Sequence, residues 1–208
     1  MEDTLLKASS VCVLFIGIGG AMSQMLKITD GALITSGSMM LIICFVLGGL
    51  VGELLNIEGA FERFGAWLRK KTHNESDSGF LSGFIHASLT VCIGAMAIVG
   101  SIQDGLLGDA SLLCAKAALD AVIILVMTAS MGKGCIFSAI PVAILQGGVT
   151  LLSRVIAPVM TDAAIASLSF TGSVMIFCVG VNLIWGKMIK VANLLPTLVF
   201  AVIYTFLF

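Results

Sequence analysis

The chain has 208 residues, of which 59% are apolar and 11% charged, where soluble domains average about 45–50% and 25%. That balance excludes an ordinary water-soluble domain, and a formal net charge of −1 with no long basic run gives no reason to expect nucleic acid as a partner. Cys12, Cys44, Cys92, Cys114, Cys135 and Cys178 are scattered through apolar stretches with no CxxC pair, so neither a disulfide framework nor a thiolate metal site is expected.

An α-helix needs about 20 mostly apolar residues to cross roughly 30 Å of hydrocarbon. Runs of that kind lie near residues 9–26, 33–57, 80–102, 112–131, 135–153, 168–186 and 191–208. The predicted fold is therefore all-α: one polytopic membrane domain over residues 1–208 with about seven transmembrane helices, its partner the lipid bilayer. With alternating spans, Lys7, Arg63, Arg69, Lys70, Lys71, Lys133, Lys187 and Lys190 fall on one side and only Lys27 and Arg154 on the other. By the positive-inside rule the first side is cytoplasmic, which puts the N-terminus inside and the C-terminus outside.

The second span ends GGLVGELLNIEG, where Gly48 and Gly52 make a small-xxx-small pair and Glu53 sits about one turn from the boundary. The 58–79 loop follows, with Phe61, Phe64, Trp67 and Leu68 at helical spacing ahead of Arg69-Lys70-Lys71, the pattern of a short interfacial amphipathic helix. Asn74-Glu75-Ser76 matches a glycosylation sequon by chance if it is cytoplasmic. In the third span His86 and Thr90 share a face, Gly94 and Gly100 keep the helix thin, and Gln103, Asp104 and Asp109 form an acidic lip beyond it.

The fourth span, LLCAKAALDAVIILVMTASM, holds Lys116 and Asp120 four residues apart and hence on one helical face. Each ion costs on the order of 2.5–3.5 kcal/mol at mid-membrane, so this face is expected to look into the bundle or a watered cavity. The base precedes the acid, the weaker helical order, and stands near a helix N-terminus that repels cations. The small Ala117 and Ala121 on the adjoining edge admit a neighbouring helix. In the fifth span Pro141 and Gln146-Gly147-Gly148 predict a broken helix. Asn182 stands near the inner end of the sixth span, and Asn193 and Pro196 open the seventh, where either Asn suits a helix-to-helix hydrogen bond. Span two from Gly37 weakly resembles span six from Gly172, in the manner of a parallel internal repeat.

Two functions fit these residues. In the first, the chain is a secondary transporter or channel for a small solute or ion. Lys116, Asp120, Gln103, Asp104, Gln146, His86 and Asn182 then supply a polar cavity, with Asp120 the coupling carboxylate. In the second it transports nothing and serves as an assembly partner, regulator or sensor, with Lys116 and Asp120 satisfying each other inside a packed bundle. The absence of HExxH, GxSxG and a deep paired acidic motif argues against an enzyme, a metal site or a cofactor. Gly-rich faces such as Gly48/Gly52 and Gly79/Gly83 suit self-association as well as internal packing.

GGLVGELLNIEGAFERFGAWL, CIGAMAIVGSIQDGLLGD, AKAALD, FSAIPVAILQGGVTLL and KVANLLP occur in that order across nearly the whole chain. Together they resemble the YdfK/YqgA family of bacterial integral membrane proteins, a domain-of-unknown-function family. The resemblance implies a bacterial inner-membrane location and brings no defined catalytic or binding residue. Family members usually begin with a further apolar segment, whereas this chain starts MEDTLLKASSVCVLFIG and so resembles a member lacking its first span. With that span the expected count becomes eight.

Overall fold

The computed structural model describes residues 2–29, 32–73, 79–93 and 95–207. The sequon at Asn74 and the glycine at 94 lie outside the described residues. Helix α1 (Glu2–Met25) leads into a two-stranded antiparallel hairpin, β1 (Leu26–Thr29) and β2 (Ala32–Thr35), in which Leu26 faces Thr35 and Thr29 faces Ala32. Residues 33–35, inside the apolar run expected to form the second span, are thus strand. Their β-branched content suits a strand, and the Asp-Gly between the strands is a dipeptide that hairpins favour.

Helix α2 (Ser38–Leu55) follows Gly37, whose φ of +82° is the left-handed conformation that glycine adopts without strain. Asn56, also left-handed, ends α2 and caps α3 (Ile57–Lys71) by accepting a hydrogen bond from the Gly59 N–H at 3.2 Å. Then come α4 (Phe80–Cys92), α5 (Ala95–Leu107) and α6 (Ser111–Met131). A 3₁₀ segment (Lys133–Ser138) runs into α7 (Ala139–Leu151), and a one-turn helix α8 (Ser153–Ile156) precedes α9 (Asp162–Trp185), capped by Thr161 through the Ala164 N–H at 3.2 Å. A last 3₁₀ turn (Val191–Leu194) delivers Pro196 as the first residue of α10 (Pro196–Leu207), where its missing N–H costs nothing.

Four units are long and apolar enough to cross a membrane by themselves: α2, α6, the Lys133–Leu151 run and α9. A fifth, α4 with α5, passes as a pair bent by 60°, while Ser10–Met25 and Val191–Leu207 are shorter apolar helices. All seven apolar runs read from the sequence are thus helical over most of their length, in an all-α polytopic membrane fold. The break lies in the third span and not at Gln146-Gly147-Gly148, which continue α7 unbroken. Pro141 sits in the first turn of α7, where backbone N–H groups have no intrahelical partner to lose.

Of the four unbroken candidate spans the most enclosed is α9, with half of its best apolar window buried. Gly17 of α1 meets the Phe177 backbone, Gly20 meets Ser173 and Gly180 meets Leu14, a register in which α1 and α9 run antiparallel at close range. Helices α2 and α10 do the same, Gly48 against Thr197 and Gly52 against Asn193. Gly83 abuts Cys135. Gly48, Gly52 and Gly83, weighed for self-association, therefore face other parts of the same chain. Phe80, Phe84, Met127, Cys135, Met175, Val179 and Val191 form the main core.

On α6, Leu119, Val122 and Leu125 are exposed, as is Ile144 on α7, which is the surface a lipid environment favours. Gly147 and Gly148 have nothing within 4 Å of where a Cβ would stand. Gly147→Ala is therefore expected to stabilise the fold by about 0.5–1 kcal/mol through helix propensity alone, measured by equilibrium unfolding in mixed micelles. A loss of stability would place another surface against that face.

Candidate functional site

Where α4 ends, its last carbonyls have no following turn to bond. The Ile93 N–H still reaches the Leu89 carbonyl at 3.0 Å, but the Val91 carbonyl receives its hydrogen bond from another helix, the Lys116 Nζ of α6 at 2.9 Å. The same ammonium pairs with Asp120 one turn further along α6. Side-chain exposure is 8% for Lys116 and 22% for Asp120, so the cation is the enclosed partner and the carboxylate the accessible one. Its own helix offers this cation little, since the base precedes the acid near a helix N-terminus. The offset comes instead from the C-terminal end of α4, whose partial negative charge attracts an ammonium.

A cavity of about 250 Å³ opens onto Asp120, lined also by Val91, Ala117, Ala121, Ser138 and Gln146. Gln146 is thus brought to the predicted pair, and so are the small Ala117 and Ala121 beside it. The other predicted residues lie elsewhere. His86 and Asn182 line a separate cavity of about 310 Å³ between α3, α4 and α9, together with Glu58, Glu62, Ser82 and Lys187. Gln103 donates to Asp109 at 2.9 Å, and the Asp104 carbonyl accepts from the Gly108 N–H at 2.8 Å, both at the far end of α5. Asp109 also accepts from the Ser111 N–H at 3.0 Å, and that bond holds its carboxyl below the usual 3.8.

The second cavity sits beside an ionic lattice that ties α2 and α3 to the segment after α9. Asn193 accepts from the Glu58 N–H at 2.7 Å and donates to Glu53 at 2.6 Å. Glu58, 7% exposed at its side chain, accepts from the Ala192 N–H at 3.0 Å and pairs with Lys187 at 3.2 Å. Lys187 also pairs with Glu62, and Lys190 with Glu53. The hydrogen bond to Glu62, followed by that to Glu58, raises the Lys187 ammonium above its ordinary 10.5. Asn182 folds the turn after α9, accepting from the Met188 and Ile189 N–H groups at 3.0 and 2.9 Å and donating to the Ile189 carbonyl at 2.6 Å.

Residues 1–206 match a family described as "Protein of unknown function (DUF554)". The chain belongs to this family. It is 26% identical over 197 residues to the uncharacterized membrane protein YdfK of Bacillus subtilis (strain 168), covering 95% of this chain and 80% of that protein. It is 27% identical over 168 residues to the uncharacterized protein YqgA of Escherichia coli (strain K12), covering 77% of this chain and 70% of that one. No solved structure matches it.

Within this DUF554 chain, the residues that sequence reasoning did not single out for the site are Glu58, Glu62 and Lys187. One signal pointed to them: GELLNIEGAFER and GKMIKVAN were assigned to the same side of the membrane with opposite charge. Asn193, read as a helix-to-helix bond, does bond α2 and α3, whereas Asn182 serves its own turn.

Proposed function

We propose that this membrane protein is a secondary transporter or channel for a small solute or ion, set in the bacterial inner membrane with its N-terminus cytoplasmic and its C-terminus outside, and that it is not an enzyme. One observation carries the reading: a discontinuous span whose broken end is held by a buried ammonium, with that ammonium's carboxylate partner open to a cavity. Interrupted helices that meet charged groups at depth are how secondary transporters build sites for coupling ions. Irregular backbone survives there only when protein or water satisfies it.

In this mechanism Asp120 is the coupling carboxylate. When it is ionised it holds Lys116, and Lys116 holds the end of α4. When it takes a proton from the cavity the ammonium keeps only the Val91 carbonyl, and the junction of α4 with α5 loosens. Proton or cation coupling follows if the cavity opens alternately to the two sides.

Proteoliposomes enclosing a pH-sensitive dye test this under an imposed pH gradient. The expected result is a proton flux above that of protein-free vesicles, abolished by Asp120→Asn. Flux unchanged by that substitution removes Asp120 from the mechanism. A second reading, a non-transporting regulator, sensor or assembly partner, is favoured by the separation of the Asp120 and His86 cavities and by the two partners Lys116 already has. It predicts no flux in either protein.

A further inference from the structure

The cavity between α3, α4 and α9 is built around a buried, doubly hydrogen-bonded carboxylate and a half-exposed cation. Glu58 is anchored on both sides, its backbone N–H by Asn193 and its Oε2 by the Ala192 N–H, and its side chain is 7% exposed. Lys187, which faces its Oε1, is 49% exposed and stands just after Gly186, a glycine at φ +83° that ends α9. Its other partner, Glu62, is 41% exposed. The ammonium therefore sits at the cavity on a flexible tether while Glu58 is held by its two other hydrogen bonds.

His86, 9% exposed, is part of the cavity wall. Its Nδ1 lies 2.8 Å from the Ser82 carbonyl, which can only accept, so Nδ1 carries the proton and Nε2 is left as the acceptor. Nε2 has no hydrogen-bond partner among the described residues. Leu81, Ile85, Leu89, Met131 and Leu183 supply an apolar floor. Glu58 and Glu62 together accept from the one ammonium of Lys187, and the pair matches a primary ammonium whose alkyl body the floor accommodates.

We propose that this cavity binds a small primary alkylammonium, held by Glu58 and Glu62 in a cavity that His86 also lines, and that the Lys187 side chain is its built-in competitor. A tethered ammonium acts at an effective concentration on the order of millimolar, so an external amine binds only after displacing it. The site stands or falls independently of whether ions pass Asp120, because its test reads binding and not flux.

The experiment is a thermal-unfolding titration of the purified full chain in micelles with n-butylammonium chloride, against tetramethylammonium and sodium chloride at equal ionic strength. A ligand of the folded state raises the midpoint in a saturable way. The expected result is such a rise with n-butylammonium alone, an apparent Kd about tenfold lower in Lys187→Ala, where the competitor is gone, and loss of the response in Glu62→Gln. Equal responses to the three salts, equal Kd in wild type and Lys187→Ala, or a response that survives Glu62→Gln would each overturn the proposal. If Lys187→Ala does not fold, wild type and Glu62→Gln decide it by the same criteria.

Discussion

Replacing Lys116 by Met is expected to cost about 3–5 kcal/mol in equilibrium unfolding, because it strands a partly buried carboxylate. Two groups lose their partner at once: Asp120, and the Val91 carbonyl at the end of α4. At 22% exposure Asp120 regains some hydration from its cavity, which places the loss toward the lower end of that range. The double substitution Lys116→Met with Asp120→Asn removes the charge and is expected to recover most of the loss, a coupling that a double-mutant cycle reads directly. Asp120→Asn alone leaves Lys116 the Val91 carbonyl and a neutral amide oxygen as acceptors but removes the charge that offsets this more enclosed cation, so it too is expected to destabilise the fold. The flux measurement is therefore read beside the unfolding midpoint of the same Asp120→Asn protein. Should Lys116→Met unfold like wild type, the ammonium is not what closes the break in the third span.

The membrane address and the helical runs were legible because they depend on local composition, which a window of some twenty residues contains. The Lys116–Asp120 pair was legible for the same reason: four residues on one helix fix a shared face whatever surrounds it. What the helix meets was not. The cation is offset by Val91, 25 residues earlier, on a helix whose end at Cys92 carries no proline to announce it. The break was expected at Pro141, but a proline in a first helical turn has no hydrogen bond to remove. Glu58 and Lys187 are separated by more than half the chain, and nothing local distinguishes either from a solvated loop charge. The pairing of α9 with α1 is equally non-local, since its Gly180 and the Gly17 and Gly20 of α1 meet their partners only after folding.

Small residues show most sharply how much tertiary placement adds, and they set the second large expectation. Gly52 and Gly147 both lie inside apolar helices, and by propensity alone each gains from substitution by Ala. At Gly147 that gain is expected in full. At Gly52 a Cβ would stand 1.7 Å from the Asn193 carbonyl oxygen and 2.6 Å from its carbon, both backbone atoms that no rotamer change can move aside. The 3₁₀ turn would have to retreat from α2, and Asn193 is the residue that accepts from the Glu58 N–H and donates to Glu53. Gly52→Ala is therefore expected to cost about 3 kcal/mol or more, at or beyond the upper end of ordinary overpacking, since steric strain is compounded by loss of the hydrogen bonds that seat α3. Equilibrium unfolding in mixed micelles measures it, and the n-butylammonium response should weaken in the same variant, because Glu58 is positioned through Asn193. A loss below about 1 kcal/mol would mean that α2 and the turn before α10 yield without strain, and that the carboxylate beneath Lys187 is not rigidly held.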